Sequence, residues 1–302
     1  MAPRTRSHLL PRNLAAREVS FPGGAVVHPI EGAGLVEFPA DMDSGVFARV
    51  RKNKLHMLTL LSKKQTRRHE AEDGFSGIVQ IPVDSKELEA TWVMPANAEG
   101  IVLFAHGSGS SRHSKRNQFV ASKLIDAGFG TVLLDLLTND EEAEDLADGR
   151  YRFDIGFLTD RLVAATHWIR SHPRSNHCRI GFFGASTGGA AALKAAAILG
   201  DEVGAVVSRG GRPDLAYEDL EEVWAPTLLI VGEKDEAVLQ LNRDAYEHLH
   251  CIRKMAIIPG ATHLFEEPGA LEKVANLAAR WFELHLLKSN EAISEQHATH
   301  HA

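Results

Sequence analysis

From Gly74 onward the chain alternates short apolar, β-branched runs with segments whose apolar residues recur at helical spacing. Continuous apolar runs mark strands buried on both faces, so the alternation predicts an α/β fold: a mostly parallel sheet with helices on each side. Two period-two segments come first, residues 77–82 and 88–93, and are expected to pair as a hairpin across Asp84-Ser85-Lys86. Core strands are expected at 101–105, 131–135, 179–184, 203–207 and 227–231, with a last strand at 255–259. Helices are expected at 117–127, 158–170, 188–199, 238–250 and 271–287. The acidic stretch 138–150 reads as a surface loop placed to act as a lid.

Residues 1–70 break the pattern. They hold 12 Lys/Arg against 6 Asp/Glu, whereas the remainder holds 21 against 34, so the net charge of -7 hides a basic start and an acidic body. The basic run 49–68 is interleaved with Leu55, Met57, Leu58, Leu60 and Leu61, as in a short amphipathic helix. We read 1–70 as a basic N-terminal extension, disordered or partly helical, ahead of a domain at 74–288 and a polar tail at 289–302. In that tail His297, His300 and His301 are expected to be solvated. Residues 1–17 lack the apolar core of a secretory signal, and organelle targeting is the less favoured reading.

The composition, 44% hydrophobic and 24% charged, is that of a globular protein. No stretch approaches the roughly 18 uninterrupted apolar residues of a membrane span, so a soluble, cytoplasmic protein is expected. An acidic body argues against a nucleic-acid partner, whose footprint is a basic patch. Cys178 and Cys251 form neither CxxC nor a zinc spacing and are read as buried thiols in a reducing compartment; no metal is expected.

The chemistry concentrates at Gly184-Ala185-Ser186-Thr187-Gly188, where an apolar strand runs into Gly-x-Ser-x-Gly and then into an Ala-rich helix. A serine on so tight a strand-to-helix turn is held in strained geometry, and the small residues on either side leave room for the turn. Ser186 is therefore the candidate nucleophile. A serine hydroxyl needs an imidazole to take its proton, and the imidazole needs a carboxylate to fix its tautomer. Asp235 follows strand 227–231, with Glu233 and Glu236 as competitors and a helix N-cap as its ordinary role; His263 follows strand 255–259 in a glycine-containing loop. Serine, acid and histidine thus all fall at the carboxyl ends of strands.

The backbone amides of Ser108, in the loop Phe104-Ala105-His106-Gly107-Ser108-Gly109, and of Thr187 are the candidate oxyanion donors, and His106 is read as a loop brace. That loop lacks GxxxxGK[ST], which argues against nucleotide binding. Arg209 and Arg212, after strand 203–207, are candidates for clamping a carboxylate or phosphate of the substrate, set against pairing with Asp214 or Glu218.

These segments together, residues 104–111, 184–188, 232–235 and 259–265, resemble the dienelactone hydrolase-like branch of the α/β-hydrolase superfamily, over about residues 75 to 288. The resemblance implies an α/β-hydrolase fold with an eight-stranded, mostly parallel sheet and one antiparallel strand. It also implies no metal or organic cofactor, and hydrolysis of a small-molecule ester or lactone through an acyl-enzyme. Dienelactone hydrolases proper carry cysteine where this chain has Ser186, so a carboxylesterase is the safer expectation. An acyltransferase using the same residues, or a non-catalytic binding module, are the alternatives.

Overall fold

The structure, a computed structural model, describes residues 74–287 and three strands nearer the N-terminus. The chain divides into two compact units, Met1–Arg68 and His69–Ala302. In the first, β1 (Val19–Ser20), β2 (Ala25–Ile30) and β3 (Gly34–Pro39) form an antiparallel meander, with Val27 opposite Glu37. Apolar and β-branched residues in both longer strands suit this pairing, so the basic extension contains a small sheet that its charge and punctuation did not suggest. The helix expected over 49–68 and the tail at 289–302 lie outside the described residues.

The second unit is built on one eight-stranded sheet. Its strands are β4 (Phe75–Val83), β5 (Lys86–Met94), β6 (Gly100–Ala105), β7 (Gly130–Leu134), β8 (Arg179–Ala185), β9 (Val203–Arg209), β10 (Thr227–Gly232) and β11 (Arg253–Ile258). They lie in the order β11-β10-β9-β8-β6-β7-β5-β4, and only β5 runs antiparallel to both of its neighbours. The expected hairpin is β4–β5, joined through Asp84 at φ 54°.

Helices α1 (Lys115–Asp126), α2 (Asn139–Asp148), α3 (Ile155–Ser171), α4 (Thr187–Leu199), α5 (Glu236–His248) and α6 (Ala270–Leu286) flank the sheet. The continuous apolar runs divide by parity. Ile101, Leu103 and Ala105 of β6 share one core with Leu162 of α3 and Ala191 of α4. Val102 and Phe104 share a second core with Val120 of α1 and Phe282 of α6. Both faces of the strand are thus withdrawn from water, which is why its pattern is unbroken rather than alternating.

Residues 138–150 are not a loop. Thr138 and Glu141 form a reciprocal capping box at the start of α2, and Gly149 closes it with φ 69°. The helix is pinned from within: Glu141 is buried against Arg161 at 2.8 Å and Lys86 at 2.8 Å, and Asp145 accepts from the amides of Tyr151 and Arg152. Burial works against the Glu141 charge, but Lys86, the Thr138 amide and Arg161 hold its carboxyl below the usual range. The Thr-x-x-Glu spacing was the signal for this helix; the density of acids drew attention away from it.

The connection from β6 returns through α1 to β7, and the chain then crosses to β8 on the other side of β6. Loops leaving β6 and β8 therefore diverge, opening a crevice at the carboxyl ends of the strands where ligands bind in sheets of this kind. No helix among the described residues is long and apolar enough to cross a membrane.

Candidate active site

Ser186 stands between β8 and α4 with φ 52° and ψ −121°, a conformation L residues rarely adopt. Three hydrogen bonds fix it there: its N–H donates to the Arg209 carbonyl, and its own carbonyl accepts from Gly189 and Arg212. A Cβ on Gly184 would overlap the Gly188 carbonyl, and one on Gly188 would overlap the carbonyls of Ala105 and His106. Only hydrogen fits at either place, so the two glycines foreseen around the serine are required by close backbone approach.

Asp235 occupies the N-cap of α5 but makes no side-chain bond to that helix. Its Oδ2 lies instead 2.6 Å from His263 Nδ1. The competing acids are accounted for: Glu233 accepts from the Gly260 amide at 2.7 Å, and Glu236 is exposed on the helix. His263 and Ser186 line one cleft of about 260 Å³, with no direct hydrogen bond between them in this structure. Catalytic hydrogen bonds are often open without substrate and close around it.

The oxyanion candidates meet, though not as two free donors. The Ser108 amide donates to Thr187 Oγ1 at 2.9 Å, so the side chain of one candidate occupies the amide of the other. His106 braces the same loop: its Nε2 accepts from the Leu136 amide at 3.0 Å and its Nδ1 donates to the Gly107 carbonyl at 3.0 Å. Burial, the dominant influence, pushes this imidazole below its usual range and keeps it neutral.

The two arginines separate cleanly. Arg212 forks onto both oxygens of Asp214, at 2.8 and 2.7 Å, and does not line the cleft. Arg209 does line it, and only 7% of its surface is exposed. Its guanidinium lies 5.7 Å from the centre of the Phe265 ring, and its Nε is buried without a hydrogen-bond partner. Burial first, and the repulsion of Arg116 second, lower its pKa to about 10. The cleft is completed by Ser110, Ser114, Arg116 and Asn117 at the start of α1, which sequence reasoning missed. Ser114, the N-cap directly ahead of that helix, was the available signal.

Among the described residues no group of His, Cys, Asp and Glu could hold a metal ion. Cys178 and Cys251 are free thiols, and neither lines the cleft. Burial pushes the Cys178 thiol up to about 12 and raises that of Cys251.

The sequence profile of the dienelactone hydrolase family matches residues 88–287. A dienelactone hydrolase of known structure from Anabaena variabilis is 54% identical; the match covers 71% of this chain and 99% of that one, with a TM-score of 0.70. Est1E from Butyrivibrio proteoclasticus shares the fold at 18% identity and a TM-score of 0.59, covering 68% of this chain and 98% of that one. A Mycobacterium tuberculosis protein provisionally named a phosphoribosyl transferase is 50% identical over 208 residues, 69% of this chain. The chain spans only 46% of that relative's length.

Proposed function

Because the chain belongs to the dienelactone hydrolase family, we propose that it cleaves a carboxylic ester or lactone through an acyl-enzyme on Ser186, with His263 as general base and acid and Asp235 orienting it. The observation that carries this reading is the 2.6 Å contact of Asp235 with His263, which lines the cleft that also holds the strained Ser186 turn. The Asp235 carboxylate gives its bond to the imidazole rather than to the helix it caps, which supports an orienting role.

The imidazole donates a hydrogen bond from Nδ1–H to Asp235, which leaves Nε2 as the free base. Ser186 Oγ adds to the substrate carbonyl carbon as Nε2 takes the hydroxyl proton, and the carbonyl electron pair moves onto oxygen. The Thr187 amide, in the first turn of α4, donates to that oxyanion with the positive end of the helix behind it. Ser108 supplies the second donor when Thr187 Oγ1 yields its amide. Collapse expels the alkoxide, which recovers the proton from Nε2, and water repeats the cycle on the acyl-enzyme. The raised thiols of Cys178 and Cys251, neither of which lines the cleft, keep them out of this chemistry.

A fluorophosphonate probe followed by peptide mass spectrometry tests the assignment. The adduct is expected on Ser186 and absent from Ser186→Ala. Ester turnover by Ser186→Ala at the wild-type rate would remove Ser186 from the mechanism.

A further inference from the structure

The cleft beside Ser186 carries a cation that nothing among the described residues neutralises. Arg209 is a buried guanidinium with an unpartnered Nε, and no carboxylate among the described residues pairs with it. A buried charge without a counter-ion is strongly unfavourable, so its retention calls for a compensating ligand. A second guanidinium, Arg116, lines the same cleft, and its only partner among the described residues is the exposed Glu266 at 3.2 Å. The lining contains no Asp or Glu. It does contain the hydroxyls of Ser110 and Ser114 and the opening residues of α1, a 12-residue helix whose N-terminus presents backbone amides and partial positive charge.

We infer that this cleft is a subsite for a phosphate dianion, and that the ester cleaved at Ser186 bears a phosphate monoester on the part of the molecule away from the scissile carbonyl. This inference rests on the hydrolase reading for its second half only. One guanidinium fork satisfies a carboxylate, which has two oxygens and one charge. Two arginines, two serines and the start of a helix line one cleft and suit more charge and more acceptors than that, and a phosphate monoester has three terminal oxygens and nearly two charges at neutral pH. Arg209 lines the cleft with its guanidinium 5.7 Å from the centre of the buried Phe265 ring, a cation–π contact that restrains it before the ligand arrives. Arg212, already forked onto Asp214, takes no part.

Two measurements test this separately. The first compares kcat/KM for matched aryl esters whose acyl chains end in methyl, carboxylate or phosphate, in wild type, Arg209→Gln, Arg209→Lys and Arg116→Gln. Wild type is expected to prefer the phosphate-ended ester over both others by at least about tenfold, the worth of one charge-assisted hydrogen bond. That ratio is expected to collapse in Arg209→Gln and recover in part in Arg209→Lys, with Arg116→Gln intermediate. Equal rates on methyl- and phosphate-ended esters would overturn the inference, as would an equal or greater preference for the carboxylate. The second titrates wild type and Arg209→Gln with inorganic phosphate by calorimetry, which needs no turnover. Binding weakened at least about tenfold by Arg209→Gln supports the subsite even if no ester is cleaved, an outcome that would count against the hydrolase reading alone. No binding of phosphate by wild type would overturn the subsite whatever the esterase assays show.

Discussion

The carboxylate of Asp235 holds the N-cap of helix α5, yet its hydrogen bond goes 28 residues away, to His263 Nδ1 at 2.6 Å. Function and helix stability are therefore separable at this position. Asp235→Asn is expected to lower kcat for ester hydrolysis by about 10⁴-fold, because the amide no longer fixes the productive tautomer. The urea midpoint is expected to move little, since no cap bond is lost. Steady-state kinetics beside equilibrium unfolding check both halves; a kcat within tenfold of wild type would remove Asp235 from the mechanism.

Ser186 stores strain that glycine would not. Ser186→Gly relieves a backbone conformation costing about 1–3 kcal/mol and adds back about 0.5–1 kcal/mol of chain entropy. The variant is expected to be inactive and about 1 kcal/mol more stable than wild type in urea unfolding. Lower stability would mean that the turn is not strained at this residue.

His106 couples the loop that follows β6 to pH. Burial, foremost, pushes its pKa below the ordinary 6.5, so the unfolded chain takes up a proton that the folded protein resists. This contribution to stability is complete above pH 6.5 and is lost progressively as pH falls below it, at no more than about 1.4 kcal/mol per pH unit. His106→Gln is expected to be less stable at neutral pH and to lose less on acidification. Unfolding free energies at about pH 7.5 and about pH 5.5 give the comparison; identical slopes would show that the ring titrates as it does in the unfolded chain.

The buried pair of Glu141 and Arg161 should reveal itself through asymmetry. Glu141→Ala leaves Arg161 uncompensated beneath α2 and is expected to cost about 3–5 kcal/mol. Glu141→Leu combined with Arg161→Met removes both charges and is expected to cost less than the single change. Chemical denaturation decides, and a double variant as unstable as the single one would mean that packing, not charge, is what the site needs.

Much of the fold was legible because parallel strands buried on both faces must be apolar throughout, as at Ile101 to Ala105 and Leu228 to Val231. The serine turn was legible because close backbone approach admits only hydrogen at Gly184 and Gly188. The helix over Asn139–Asp148 was present in its capping residues but hidden by its acidity. The occupied Ser108 amide had no sequence signal, since it arises between residues 79 apart in the chain.

The amino-acid sequence alone determined the sheet, the tight turn at Ser186, and the order of the three residues offered for catalysis, because each depends on local pattern and backbone sterics. Which of two arginines three positions apart faces the cleft was decided only by tertiary structure. Arg212 finds a carboxylate two residues along its own turn, while Arg209, at the end of β9, is carried beneath Phe265 and beside the start of α1. A side chain's charge is written in the chain; whether that charge meets a partner depends on elements brought together from distant positions.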